Sequence, residues 1–448
     1  MEIALRRRNI LRQVLLTIGV ATGSLNMGLA LGWCSPALSD LLSVDSKPCD
    51  RITLAQSGWV GSLLSLGAML QVPIFGIMME KLGRKRFLMI TAVPIGVGWM
   101  LISFGTTLLQ IYISRILIGF SAGIYSVLVS IYAGEVGSPE LRGVLGAICQ
   151  LFVILGIVLM YCSGLVLKWN ELGYIGISVT VASFIISLII PETPVWLARQ
   201  GRLEEARVVL KWLQSTDDDS KIENEIINFE ESKTCKGNGP LFRHPTVIKP
   251  VLLISMIILI NQANGISVII TFQNEIFSSA GVDLSSRVSS VIVGISMLIS
   301  TIASFFAVRS FDRKPLLVSS LMMMSVAMTG FGMYFYFTPG PKFNWVPIIC
   351  LLAFIIPFCL GPGPLTWILL SDLSIPQAAA AVGSVASLLN WGFAFIFTTV
   401  FGGMEEMLGK CGVFWFYGFS SIIGGIFVLL FLPETRGKSR REIEQMLM

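Results

Sequence analysis

The feature that most restricts the fold of this chain is a succession of continuous apolar runs, separated by short polar segments that hold most of the Lys and Arg. A hydrocarbon layer about 30 Å thick needs about 20 apolar residues per helix, and each run is that long. Lipid offers no partner to backbone N–H and C=O groups, so only helices and closed barrels cross it, and barrel strands would alternate over segments of about ten residues. These runs do not alternate. The expected fold class is an all-α membrane protein. Composition agrees: hydrophobic residues make up 54% of 448 residues and charged ones 13%, against about 25% in a soluble domain.

Hydropathy places twelve transmembrane helices near 14–33, 57–79, 87–105, 110–134, 144–167 and 172–190, then 250–272, 289–308, 316–337, 345–370, 379–403 and 413–432. The expected organisation is a tail (1–13), a six-helix half (14–190), a polar loop (191–249), a second six-helix half (250–432) and a tail (433–448). The first run follows Arg6, Arg7 and Arg8 as a signal peptide would, but it is span-length and lacks a small-residue cleavage site, so it reads as the first span. Arg84, Lys85, Arg86, Arg142, Arg313, Lys314 and Arg436 fall on the side of the termini, whereas the other side offers Lys47, Arg51, Lys168, Arg287, Lys342 and Lys410. The excess of cations sets both termini and the loop in the cytoplasm. Within the loop, Leu203, Ala206, Val209, Leu210 and Leu213 share one face of a short amphipathic helix under the bundle, and Asp217, Asp218 and Asp219 read as a solvated turn. No Asn-x-Ser/Thr sequon occurs.

The net charge of +5 is scattered in clusters and makes no basic stripe, which argues against a nucleic-acid partner. Eight Cys without a CxxC pair and a single His, His244, argue against a metal or redox cofactor. Cys34 and Cys49 flank one outer loop, where the spacing permits a disulfide but does not require one. No nucleophile, metal cluster or phosphate loop suggests an enzyme.

The halves repeat. Glu80 to Lys85 after the second span echoes Phe311 to Lys314 after the eighth, Glu135 echoes Asp372, and Pro191-Glu192-Thr193 echoes Pro433-Glu434-Thr435. Offsets of roughly 230 to 240 residues mark a duplicated transporter half.

These motifs, together with Gly83-Arg84-Lys85, Arg142-Gly143, Gly361-Pro362-Gly363-Pro364 with Trp367, and Asn390-Trp391, resemble the sugar porter branch of the major facilitator superfamily, which holds animal glucose transporters and insect trehalose transporters. Leu31 to Pro36 is most similar to the insect group. The resemblance covers nearly the whole chain and implies the major facilitator fold of two pseudo-symmetric six-helix halves. It also implies a substrate-binding set of Gln150, Asn261, Gln262, Ser267, Trp367 and Asn390, amides and an aromatic face suited to a neutral polyol. Interhelical bonding is the bland alternative for Gln150, and ordinary packing is preferred for Trp391.

A gating network is expected from Arg84, Arg142 and Arg313 facing Glu135, Glu192 and Glu434, with Asp372 in the second half. Such pairs, each contributing about 0 to 1 kcal/mol at a membrane surface, would tie the cytoplasmic ends of the halves together and break readily. Lys81 and Arg86 read as topology signals only. The second half looks thinned: the loop after the eighth span lacks Gly-Arg, and Ala378 and Ala379 stand near a usual arginine. Removing a first-half member should therefore cost more than removing Asp372. Arg115, the firm intramembrane charge, reads equally as a gating contact or as a side chain snorkelling to the outer interface. Other departures are Asn261 and Ser267 for longer amides, Thr271 and Phe272 for tyrosines, Cys359 for a glutamate, and Val195 for an arginine.

Proton-coupled relatives carry a first-span carboxylate, for which this chain has Ala30, so facilitated uniport of glucose or trehalose is expected. A non-transporting sugar sensor and a proton symporter are the rival readings. The expected setting is the plasma membrane, with the protein working as a monomer.

Overall fold

The computed structural model describes residues 2–43, 49–138, 140–214, 222–227, 229, 245–282, 284–337, 343–374, 379–438, 442 and 446. All assigned elements among them are helical. The first crossing is α1 (Glu2–Gly32) with a short continuation, α2 (Cys34–Leu41). The second is α3 (Leu54–Leu70) and α4 (Val72–Leu82), bent by 48° at Gln71, where Pro73 opens the new helix without an N–H to lose. Then come α5 (Arg84–Ser103), α6 (Leu108–Val136), α7 (Arg142–Ser163) and α8 (Leu172–Ile189). Capping boxes at Thr53/Gln56 and Thr107/Gln110 fix where α3 and α6 begin.

Two small helices follow, α9 (Pro194–Arg199) and α10 (Leu203–Gln214). The apolar face of α10 closes on Trp196, Leu197, Ile222 and Ile226, forming a core of its own. It also docks on the start of α1: the Arg12 guanidinium lies 4.9 Å over Trp212. Residues 217–219 lie outside the described residues.

The second group comprises α11 (Pro245–Ala263), α12 (Ile266–Ser279), α13 (Ser286–Ser310), α14 (Arg313–Phe337), α15 (Val346–Leu360), α16 (Pro362–Leu373) and α17 (Ala379–Phe431). Two crossings here are discontinuous. Between α11 and α12 Gly265 has φ +89, and a Cβ there would stand 2.6 Å from the Tyr417 ring, so only glycine fits. Between α15 and α16 the chain turns at Gly361, and Pro362 starts the next helix. Among the described residues ten stretches are long and apolar enough to cross a bilayer, and the bent pair makes eleven. Because 381–431 spans 51 residues and breaks at Gly409, with φ +69, it is two crossings, which makes twelve.

Large apolar side chains such as Val93 (61% exposed), Phe306 (71%) and Val326 (74%) cover the outside, as a lipid-facing surface requires. Inside the first group helices meet backbone to backbone: a Cβ at Gly28 would lie 2.0 Å from Val153 O, and one at Gly119 2.0 Å from Leu64 O. In the second group glycines instead make room for side chains, Gly332 for Trp415 and Gly424 for Ile260. The groups touch through α3 with α17, α7 with α13, and α2 with α12. At the beginning of the chain α1 extends back to Glu2, so the expected tail is helical and continuous with the first crossing.

Candidate substrate site and gates

The face holding the start of α1 and the end of α17 is here the terminal face, and the opposite one the distal face. At mid-depth the break at Gly265 turns α12 so that Ser267 Oγ donates to Gln262 Oε1 at 2.6 Å. Gln262 Nε2 in turn donates to Asn390 Oδ1 on α17 at 2.9 Å. Three expected substrate residues thus form one hydrogen-bonded chain across three helices, and Asn390 is half-buried. Gln150 is exposed. It shares a stripe of α7 with Gly143 and Gly146, where added Cβ atoms would meet nothing within 4 Å, while Val144, Leu159 and Cys162 form a separate exposed stripe on the other side of the helix. Trp367 is 46% exposed on α16, one turn from the exposed Ser371.

Asn261 does not join them. It is buried and donates to Thr366 Oγ1 at 3.3 Å, and its Oδ1 has no partner. Beside it is a void of about 10 Å³ lined by Ile257, Leu317 and Pro362, the size of a single water. Trp391 is buried, as expected of a packed aromatic.

Both readings of Arg115 are overturned. At 1% exposure it neither snorkels nor bridges the groups. Its Nε donates to Val60 O (3.1 Å), Nη1 to Ala30 O (2.9 Å) and Nη2 to Cys34 Sγ (2.9 Å), with the Trp33 ring 5.2 Å away. It clamps three helices of the first group. Cys34 and Cys49 are not joined by a disulfide, so none closes the outer loop.

On the terminal face Arg84 Nη2 meets Glu135 Oε1 at 2.5 Å, and Thr193 Oγ1 donates to Glu135 Oε2 at 2.5 Å. Glu192 accepts from the N–H groups of Arg84 (2.9 Å) and Lys85 (3.1 Å). The second group repeats this residue for residue, with one added bond from Arg313 Nη1 to Thr435 Oγ1 at 3.0 Å. Arg313 pairs with Asp372, Thr435 Oγ1 donates to Asp372 Oδ2 at 3.0 Å, and Glu434 accepts from the N–H groups of Arg313 (3.2 Å) and Lys314 (3.0 Å). Where Gly83 leaves no room for a Cβ, 2.4 Å from Glu192 Oε2, the second group has Asp312, held by Arg436 at 3.2 Å. The second charge cluster, thinned in sequence, is therefore present in space among the described residues, which do not include Ala378. These bonds stay within each group and do not cross between them. Arg142 stands apart, exposed, with its Nε donating to Gly137 O at 3.3 Å.

Electrostatics separates the twins. Burial raises the Glu192 carboxyl above its ordinary range despite N–H donors from Thr193, Arg84 and Lys85 and the Arg84 charge. Burial also pushes Glu434 up, but the N–H groups of Arg436, Lys314, Arg313 and Thr435 together outweigh it and hold the carboxyl below its ordinary range.

The profile of the family described as "Sugar (and other) transporter" matches residues 23–447. The chain belongs to the sugar transporter family. Among curated members of this family it is 31% identical over 443 residues to the facilitated trehalose transporter Tret1 of Bombyx mori, covering 97% of this chain and 86% of that one. It is 32% identical over 450 residues to Tret1 of Polypedilum vanderplanki, covering 98% and 88%. Among solved structures, the inward open conformation of the xylose transporter XylE from E. coli superposes with a TM-score of 0.81 at 21% identity, covering 97% of this chain and 99% of that one. The proton:xylose symporter XylE bound to 6-bromo-6-deoxy-D-glucose superposes at 0.77 and 22%, covering 97% and 98%. The twelve-helix major facilitator fold is common to them all.

Within this family frame, two sets of residues escaped the sequence reading. Thr193 and Thr435 were visible in the repeated Pro-Glu-Thr, yet only charges were considered there. The distal contacts carried no motif: Tyr161 OH donates to Ile270 O (3.1 Å) and Gln273 Oε1 (3.2 Å), and Asn274 N donates to Ser35 Oγ (3.1 Å). These join α7 and α2 to α12, so the two groups are closed on each other at the distal face.

Proposed function

We propose that this sugar transporter carries a neutral sugar, trehalose or glucose, down its gradient by alternating access between the two helix groups, acting as a monomer in the plasma membrane with the terminal face in the cytoplasm. The observation that carries this reading is the chain Ser267, Gln262, Asn390 at the broken crossing, with Gln150 and Trp367 exposed on other helices. Uncharged donors and acceptors suit hydroxyl groups, and an exposed aromatic face suits the apolar face of a sugar ring. Trehalose is favoured by the curated relatives named above.

Uniport is favoured by the surroundings of Arg115. Two backbone carbonyls and a sulfur satisfy the guanidinium, and Ala30 supplies a carbonyl where a coupled carrier would have a carboxylate. The sensor alternative drew its motive from a thinned gate, and the cluster of Arg313, Asp372, Glu434 and Thr435 weighs against it.

Uptake of labelled trehalose and of labelled glucose into proteoliposomes tests the proposal. Sugar should equilibrate without exceeding its outside concentration, and neither a protonophore nor a membrane potential should change the rate. A carried charge would feel about 2.3 kcal/mol per 100 mV, which such an assay detects easily. Accumulation abolished by a protonophore would overturn uniport.

A further inference from the structure

Most distal contacts between the helix groups are neutral, but one is ionic. Arg287 Nη2 donates to Asp40 Oδ1, joining the start of α13 to the end of α2. The pair is largely shielded, with side chains 33% and 14% exposed. Asp40 is fixed on its own side before it meets Arg287: Trp169 N donates to Asp40 Oδ2 at 3.0 Å, and Trp169 O accepts from Trp33 Nε1 at 2.9 Å.

Each charge sits at the wrong end of its own helix. Arg287 is the second residue of α13, where the unpaired N–H groups make the helix end positive. Asp40 is in the last turn of α2, where the unpaired carbonyls make it negative. Alone, each is disfavoured by its helix. Together they cancel, but only while the groups touch at the distal face.

We propose that Asp40 and Arg287 form an electrostatic latch that holds the distal gate shut and biases the resting transporter towards opening on its terminal face. Separation of the groups breaks the pair and leaves both charges facing like-signed helix ends, so the penalty falls on the distal-open state. Asn274, Ser35 and Tyr161 contribute hydrogen bonds of ordinary strength beside it. The latch presupposes alternating access but not the identity of the sugar.

The test reads gate distance with no sugar present, so a wrong substrate assignment leaves it intact. Spin-labelled unnatural residues at Val166 and Leu284, both exposed distal positions on opposite groups, report the separation in nanodiscs by pulsed electron resonance. Asp40→Asn and Arg287→Gln should each raise the ratio of distal-open to distal-closed molecules about two- to fivefold. The double variant should shift it no further than either single one, and Arg287→Lys should stay close to the parent. Unchanged distances in both single variants would overturn the latch. So would a double variant whose shift equals the sum of the singles, because the charges would then act separately.

Discussion

Gln262 is the residue on which the proposed site turns, since it both receives from Ser267 and donates to Asn390. Gln262→Ala should weaken sugar binding by about 0.5 to 1.5 kcal/mol, roughly two- to tenfold in affinity, without lowering the yield of folded protein. Asn261→Ala, although it changes the neighbouring amide, should leave affinity unchanged, because Asn261 faces Thr366 and a water-sized void. Titration of both variants with sugar checks the contrast, and equal losses would place Asn261 in the site after all. Arg115 predicts the opposite pattern. Arg115→Ala removes three hydrogen bonds that tie the first three helices together, to Val60 O, Ala30 O and Cys34 Sγ, so the melting temperature in detergent should fall. Arg115→Lys should rescue it only in part, because one ammonium cannot reproduce a planar fork that spans three acceptors.

At the scale of elements, the joints after the sixth and twelfth crossings share a motif but not an environment. Glu192 has its folded pKa raised, so its ionised form is disfavoured by folding, and stability gained from it grows as pH falls from neutral through that raised value. Glu434 has its folded pKa lowered, so it contributes stability above its ordinary 4.5 and loses it as pH falls below that. Acidification should therefore protonate Glu192 first while Glu434 stays ionised. Infrared difference spectra of the carboxyl stretch, with Glu192→Gln and Glu434→Gln as controls, would assign the two steps. A reversed order would mean that the N–H donors, not burial, govern Glu192.

At the scale of the whole molecule, the two charge clusters are copies in different sequence. Arg84, Glu135, Glu192 and Thr193 have Arg313, Asp372, Glu434 and Thr435 as counterparts, residue for residue. Glu135→Gln and Asp372→Asn should therefore slow sugar exchange by similar factors, in contrast to the asymmetry that the thinned motif suggested. Exchange rates in proteoliposomes at matched protein density check this. A loss confined to Glu135→Gln would mean that geometric equivalence does not carry mechanical equivalence. Meanwhile the distal face is shut by Tyr161, Ser35 and Asn274, so the molecule is caught with its groups joined at one end.

The crossings and their repeat were legible in the sequence, because lipid imposes one requirement on every residue of a span and Lys and Arg mark the ends. Gln262 and Asn390 as candidate site residues could be carried over from a resemblance, since a motif preserves residue types, but neither the break at Gly265 nor the bond between the two amides is written in it. What surrounds Arg115 could not: whether a guanidinium snorkels or is clamped depends on carbonyls from α1 and α3, and a backbone carbonyl has no sequence signature. The same holds for Asp312, which looks like a defect in the motif until Arg436, more than a hundred residues away, is brought beside it. The pairing of Asp40 with Arg287 is likewise invisible along the chain, because two charges 247 residues apart meet only when two helix ends do. Sequence determined which segments cross the membrane and that the halves repeat. Tertiary structure alone decided which polar groups face each other, because in a low-dielectric interior a polar group is fixed by the partner that packing delivers to it.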